Sequence, residues 1–150
     1  MSKSERVKHP PREGRPGVAR SALRLALAAF LGVAGIGHLV ATRSFLGQVP
    51  SFLPYRTPIV LISGVVEIGF VLALLFLRGE RLRRTGWALA AFYVLIFPGN
   101  LYQALAGTDA FGLSTPGERW GRLAAQPLLI IWALWSTGAW SRGNQRSTQG

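Results

Sequence analysis

The chain has 150 residues, of which 17 are lysine or arginine and 6 are aspartate or glutamate, so its formal charge is +11. The composition is nevertheless apolar, with 49% hydrophobic and only 15% charged residues. A solvated basic domain would be less apolar, so we expect no nucleic-acid partner. Because the chain contains no cysteine, disulfides, thiolate catalysis and cysteine-ligated metal centres are excluded. With only two histidines, we expect neither a metal site nor an intrinsic cofactor.

The chain divides into a polar tail, four apolar stretches and a second polar tail. Residues 1–20 contain three prolines and six basic residues and are predicted to be a disordered cytoplasmic tail. Residues 141–150 form the second tail. Each apolar stretch is close to the ~20 residues that cross a bilayer, so the sequence predicts an all-α integral membrane four-helix bundle. The predicted spans are about 21–40, 58–77, 85–106 and 123–140.

Basic residues are distributed unevenly between the alternate loops of this predicted bundle. Thirteen of the seventeen lie in the two tails, at the start of the first span and between the second and third spans. By the positive-inside rule, both termini are expected in the cytoplasm and the protein in the inner (plasma) membrane, with the lipid bilayer as a partner. The four exceptions are Arg43, Arg56, Arg119 and Arg122.

The two connections that carry these exceptions have local features of their own. Residues 41–57 contain Pro50 and Pro54, which block a continuous helix, and they include several Phe and Leu residues. We expect this segment to lie on the membrane surface or to fold over the bundle mouth as a lid, and the alternative is an amphipathic tether with no role. Thr115 and Glu118 fit a capping box, which predicts that the last helix begins there, before the fourth span.

Four polar side chains interrupt the spans, and they are His38, Glu67, Asn100 and Gln126. Such groups are costly in a bilayer and usually face the bundle interior. At ~1.5 Å per residue, three of them lie about 7 to 10 Å outward of the midplane, and Glu67 lies near the middle of its span. Arg119 and Arg122 lie on the same helix stripe as Gln126. We therefore predict a small polar pocket in the outer half of the bundle.

The residue types suggest different roles in this pocket. Glu67 and His38 are the candidate catalytic residues and are expected to handle protons, because an unpaired carboxylate at mid-span costs about 2.5 to 3.5 kcal/mol. Asn100, Gln126 and Arg122 are the candidate ligand-binding residues. For the two amides, the alternative is hydrogen bonding between helices without any ligand.

Glycines and a proline near these side chains predict the local backbone. Gly35 and Gly64 lie three residues before the candidate histidine and glutamate, and would let the first two spanning helices approach closely. Pro98 is expected to interrupt the third helix and to leave the carbonyl of Val94 unpaired.

The order and spacing of these residues resembles the DoxX-like family of small bacterial membrane proteins, which form four-helix bundles. The resemblance implies an accessory or anchor subunit of a quinone-linked membrane oxidoreductase, with quinone as the ligand and a soluble or membrane oxidoreductase subunit as partner. The chain departs from the family pattern at Gly99, where alanine is expected. The matching residues are Gly35 with His38, Pro50, Leu53 with Pro54, Ser63 and Gly64 with Glu67, Pro98 with Asn100, and Arg122 and Leu123 with Gln126.

Two other functions fit the same residues. The chain is alternatively a small proton-coupled transporter in which Glu67 exchanges a proton, or a structural membrane scaffold. In every case the chain is not expected to be catalytic alone. A homodimer is compatible with all three.

Overall fold

The computed structural model describes residues 17–110 and 112–140. Within this part the chain is all-α and contains no strand, which confirms the all-α part of the predicted fold class. The predicted tails, 1–20 and 141–150, lie outside the described residues except for 17–20. The five α-helices are α1 (Val18–Val40), α2 (Thr42–Phe45), α3 (Arg56–Phe76), α4 (Gly79–Ala106) and α5 (Pro116–Ser136).

Three of the four long helices, α1, α3 and α4, are long and apolar enough to cross a membrane. The fourth, α5, differs because Glu118, Arg119 and Arg122 occupy its first two turns. Its apolar part is therefore shorter than the ~20 residues that a spanning helix needs.

Helix α5 ends at Ser136, earlier than the predicted end of the fourth span at residue 140. Gly138 adopts a positive φ of 69°, which costs glycine little because it has no Cβ. Its amide donates to the carbonyl of Trp135 at 3.1 Å, and the amide of Ala139 donates to Leu134 at 2.9 Å. This pair of bonds is a Schellman motif, which terminates the helix.

The beginning of α5 follows the sequence prediction. The amide of Glu118 donates to Thr115 Oγ1 at 3.3 Å, and the amide of Thr115 donates to Glu118 Oε2 at 3.0 Å. Both halves of the capping box are thus present, and they satisfy amides that have no partner within the helix.

The long helices pack as two pairs, α1 with α3 and α4 with α5, and the two pairs contact each other less extensively. We call the end of the bundle where α3 ends and α4 begins, at residues 77–84, the arginine end. The opposite end, where residues 41–55 lie, is the cap end, and these residues are the cap segment. At the arginine end an apolar core fills the space between the pairs, and it includes Leu27, Leu31, Leu74, Leu89 and Ala133.

The cap segment folds over the helix ends. It contains α2 and a 3₁₀ turn at Leu46–Gln48, and its Phe45 and Val49 are buried in a small cluster with Val60. Arg56 donates to the carbonyls of Val49, at 3.2 Å, and Leu46. Of the two arrangements that the sequence left open, the structure therefore has the lid-like one.

Gly99 of α4 supports the cap segment. A Cβ added at this position would lie 2.7 Å from the carbonyl oxygen of Gln48, closer than packed atoms tolerate. Gly99, at the position where the family resemblance predicted alanine, therefore allows the cap segment to pack against α4.

The prediction that Pro98 interrupts its helix is wrong. Helix α4 is continuous from Gly79 to Ala106, with Pro98 inside it. A proline removes one hydrogen bond from the helix, and the turns on either side remain intact here.

Candidate functional site

A close contact between α1 and α3 positions the first two site residues. A Cβ added to Gly64 would lie 2.8 Å from the Cβ of His38 and 2.9 Å from the carbonyl oxygen of Gly35. The two glycines therefore permit a helix approach that larger residues would prevent. As a result, His38 Nδ1 lies 3.1 Å from Glu67 Oε2.

The pairing of these two side chains leaves a carboxylate oxygen available. His38 Nδ1 also lies 2.8 Å from the carbonyl oxygen of Ala34, which only accepts, so this nitrogen donates there. Glu67 Oε2 consequently is a buried oxygen without a well-aligned hydrogen bond. Because such an oxygen is costly in an apolar interior, Glu67 is a natural position for a proton or a ligand donor.

His38 is buried although it lies near the end of α1. Its ring stacks on Phe45 of the cap segment, with ring centroids 4.0 Å apart and planes inclined by 29°. Only 9% of the residue is exposed. The cap segment thus separates the histidine from the exterior at this end of the bundle.

Asn100 and Gln126 contact each other across α4 and α5. Asn100 Nδ2 donates to Gln126 Oε1 at 2.9 Å. Gln126 Nε2 in turn donates to the carbonyl of Tyr93 at 2.9 Å. Each amide keeps a second N–H, so this pair joins the helices and still presents donors to its surroundings.

The two arginines of α5 have different environments. Arg122 donates to Gln48 of the cap segment at 2.8 Å and to Gln103 of α4 at 3.3 Å. Arg119 instead pairs with Asp109 at 2.9 Å, and it does not line the cavity described next. Arg119 thus fixes the connection before α5, whereas Arg122 belongs to the site.

All five predicted site residues surround one cavity of about 590 Å³ at the cap end. A smaller cavity of about 290 Å³ adjoins it, and four of the five residues line both. The larger one is within the range of small-molecule pockets, about 300 to 1,000 Å³. The shared residues are His38, Glu67, Asn100 and Arg122, whereas Gln126 lines only the larger cavity.

The two cavities open on opposite sides of the bundle. The larger is lined by Phe30 and Val33 of α1 and by Ala125 of α5, so it opens between these helices. The smaller is lined by Ile59 of α3 and Leu95 of α4. These lining residues place the two openings at the α1–α5 and α3–α4 contacts, where the two helix pairs pack less extensively.

Tyr93, which was not among the predicted site residues, is 3% exposed and lines the larger cavity. Its hydroxyl is buried and has no hydrogen-bond partner among the described residues. Tyr93 precedes Asn100 by seven residues, so both lie on one face of α4. This seven-residue spacing, which is visible in the sequence, could have identified Tyr93 as a neighbour of the predicted site.

The described residues hold no group of three His, Cys, Asp or Glu side chains that is placed to bind a metal ion. The side chains that line the cavity can form hydrogen bonds and exchange protons in mostly apolar surroundings. Its available polar groups come from every long helix: His38 from α1, Glu67 from α3, Tyr93 from α4 and Arg122 from α5.

Fold and site together define an all-α protein with three helices long and apolar enough to span a membrane and, at one end, a mostly apolar cavity that contains buried polar side chains. The family model of DUF8561, a domain of unknown function, matches residues 27–137, and the chain belongs to this family. The matched region contains all five predicted site residues and Tyr93. No curated protein and no solved structure matches the chain significantly.

The resemblance to the DoxX-like family is wrong, because the matching family is DUF8561. The residues that suggested it have general structural uses. Glycines such as Gly35 and Gly64 permit close helix contact, and Asn100 and Gln126 join helices in any bundle with a polar interior. Their order therefore did not identify a family.

Proposed function

We propose that the protein is a multi-pass inner-membrane protein that binds a lipophilic carbonyl compound of the quinone class in the cap-end cavity. In this role it is an accessory or anchor subunit of a quinone-linked oxidoreductase. The observation that carries the proposal is a mostly apolar cavity of about 590 Å³ into which buried polar groups converge. Two of their atoms, Tyr93 Oη and Glu67 Oε2, have no hydrogen-bond partner in the described residues.

The membrane location is supported by the three long apolar helices and by the distribution of basic residues. The positive-inside rule places the arginine end at the cytoplasmic face. The cap-end cavity then lies in the outer half of the membrane.

The cavity suits a quinone in shape and in polarity. A quinone has an apolar ring and two carbonyl oxygens, so it requires apolar walls and hydrogen-bond donors. The Tyr93 hydroxyl is a donor without a partner, and Arg122 uses only two of its five N–H groups in the hydrogen bonds described above. Asn100 and Gln126 orient the site by fixing the backbone of Tyr93.

Glu67 and His38 are the proton-handling groups of the proposal. Reduction of a quinone to a quinol takes up two electrons and two protons. The electrons come from a partner oxidoreductase, whereas a carboxyl group and an imidazole can supply or accept protons. Both side chains line both cavities, so a proton on Glu67 is accessible from either one.

The lateral openings give the ligand a route of entry. A lipophilic molecule concentrates in the hydrocarbon region, and the larger cavity opens towards it between α1 and α5. The ligand therefore enters without displacing the cap segment, whose position is held by Arg122 and Arg56.

The test is gentle detergent purification of the full-length protein followed by mass spectrometry of bound lipids, quinones and proteins. We expect a quinone and an oxidoreductase subunit to be retained, and Arg122→Gln to lower quinone retention. The exposed Arg43 provides the matched control, since Arg43→Gln removes the same charge away from the cavity. Retention of neither quinone nor oxidoreductase would contradict the proposal.

Proton-coupled transport is the second candidate, because Glu67 and His38 are shared by cavities on opposite sides of the bundle. It requires a second conformation, since the apolar core with Leu74 and Leu89 fills the arginine end. It predicts flux into liposomes driven by a pH gradient, without any partner protein, that Glu67→Gln abolishes.

A structural scaffold is the third candidate, and the hydrogen bond between Asn100 and Gln126 favours it. In that case Glu67→Gln and His38→Ala alter only the yield of folded protein. Unchanged quinone binding and reductase activity in both variants would exclude the proton-handling roles.

A further inference from the structure

A separate groove of about 460 Å³ lies between α3 and α4 at the arginine end. It shares no lining residue with the two cap-end cavities. Its wall on α3 is apolar, and its end carries two arginines from the start of α4. The lining residues are Val66, Gly69, Phe70, Ala73, Leu77, Arg81, Arg84, Thr85 and Ala88.

The dimensions of the groove match one leaflet of a bilayer. From Val66 to Leu77 the α3 wall spans eleven residue steps, about 16 Å at ~1.5 Å per residue. The hydrocarbon core of a bilayer is about 30 Å thick. The apolar part thus has the depth of one leaflet, and the arginines lie where phospholipid head groups begin.

The positive charge at this end is only partly compensated. Arg78, Arg81, Arg83 and Arg84 lie in seven consecutive residues. Among the described residues, Glu80 is the one acidic side chain that pairs with them, at 3.2 Å from Arg83 and 3.3 Å from Arg84. Arg81 has no acidic partner there, although it lines the groove.

Gly69 widens the apolar wall. A Cβ added at this position would meet no atom within 4 Å, so close helix contact does not explain this glycine. The space beside it is part of the groove and can hold a hydrocarbon chain.

We propose that this groove binds one anionic phospholipid, with an acyl chain along α3 and the phosphate at Arg81 and Arg84. Guanidinium groups bind phosphate through paired N–H donors, and basic residues next to a membrane span attract anionic lipids. The proposal rests on the membrane location in the proposed function, but it is independent of quinone binding.

The test is native mass spectrometry of the full-length protein in detergent with added phosphatidylglycerol or phosphatidylcholine of identical acyl chains. We expect one tightly retained phosphatidylglycerol. Loss of one arginine is expected to lower the affinity for phosphatidylglycerol about fivefold. The double variant Arg81→Gln with Arg84→Gln therefore lowers this affinity about 25-fold. The matched control, Arg78→Gln with Arg83→Gln, removes the same charge from the same end of the bundle but does not change a residue that lines the groove.

Gly69→Leu tests the position of the acyl chain. It fills the groove without removing charge, and leucine favours the helix more than glycine does. We expect it to lower phosphatidylglycerol retention, and Gly69→Ala to have a smaller effect. Inorganic phosphate added instead of lipid distinguishes a free-anion site, because Gly69→Leu would leave phosphate binding unchanged.

Three results would overturn the proposal. The first is equal retention of phosphatidylglycerol and phosphatidylcholine by the wild-type protein. The second is an equal loss of phosphatidylglycerol affinity in the two arginine double variants, which would indicate a diffuse attraction between the basic residues and the lipid. The third is full retention in Gly69→Leu. Quinone binding at the cap end, measured in the same samples, is expected to remain unchanged in all of these variants, which separates this proposal from the proposed function.

Discussion

The two ends of the same bundle are built differently. At the arginine end the helix pairs meet through an apolar core in which Leu27, Leu74 and Leu89 have no exposed surface. At the cap end the same helices enclose cavities, and Gln126 and Arg122 join α5 to α4 and to the cap segment through hydrogen bonds. The apolar half holds the pairs together, so the cap half can leave space for a ligand.

The difference also separates two kinds of buried polar group. The Gln126 side chain is hydrogen-bonded to protein atoms through both its oxygen and its nitrogen. The Tyr93 hydroxyl and Glu67 Oε2 are not. Hydrogen-bonded groups stabilise the bundle, whereas the two buried atoms without a hydrogen bond carry a cost that a ligand or a proton would remove.

The largest effect on stability is expected in the arginine-end core. Leu89→Ala leaves a cavity and lowers the free energy of unfolding by about 2 to 5 kcal/mol. Leu105→Ala is the control, because that side chain is 68% exposed and its truncation has little effect. Thermal unfolding in one detergent compares the two. Equal losses would show that the core is not the stabilising half.

The contact between α1 and α3 provides the next test. Gly64→Ala adds a Cβ that would lie 2.8 Å from the Cβ of His38. Overpacking of this kind costs about 1 to 3 kcal/mol. It also separates His38 from Glu67. Gly69→Ala, on the same helix, is the matched control, and its open surroundings predict unchanged or slightly higher stability. Chemical denaturation that ranks both variants alike would contradict the close contact.

Some of this arrangement was predictable from the sequence, and some was not. Periodic apolar stretches predict the long helices, and Thr115 with Glu118 predicts the start of α5. The position of His38 beside Glu67 depends on how far α3 extends past the end of α1, which apolar patterns do not specify.

The hydroxyl of Tyr93 was not predicted as part of the site, because a tyrosine in a span is usually an interfacial or core residue. Helix continuity through Pro98 depends on tertiary packing.

Gln126→Leu tests the hydrogen-bonded group at the cap end. It leaves Asn100 and the Tyr93 carbonyl without partners, which costs about 1 to 3 kcal/mol. Asn100→Leu with Gln126→Leu restores part of this stability, since the Asn100 amide is then no longer buried without a partner. A double-mutant cycle by thermal unfolding measures the coupling. Additive losses would show that the hydrogen bond contributes no stability.

The smallest effect is expected outside the spans, at the capping box. A hydrogen bond from the Thr115 amide lowers the pKa of Glu118 below its ordinary value of 4.5, with smaller contributions that include the Thr115 side chain and the Ser114 amide. The stabilisation by this carboxylate is therefore present above pH 4.5 and is lost as the pH falls through its lowered pKa. Glu118→Gln should flatten this part of the acid profile of the melting temperature. An unchanged profile would exclude the contribution.

The proposed function depends on ligand binding in the cap-end cavity by Tyr93 and Glu67, whose side chains each have a buried oxygen without a hydrogen bond. Its most direct test is equilibrium binding of a short-chain ubiquinone analogue to the full-length protein in lipid nanodiscs. We expect saturable binding that Tyr93→Phe weakens about three- to tenfold, the equivalent of one hydrogen bond, with unchanged thermal stability. Tyr102→Phe, which removes a hydroxyl near Ser51 outside the cavity, should bind as the wild type does. Absence of saturable binding, or equal affinities of the two variants, would contradict the account.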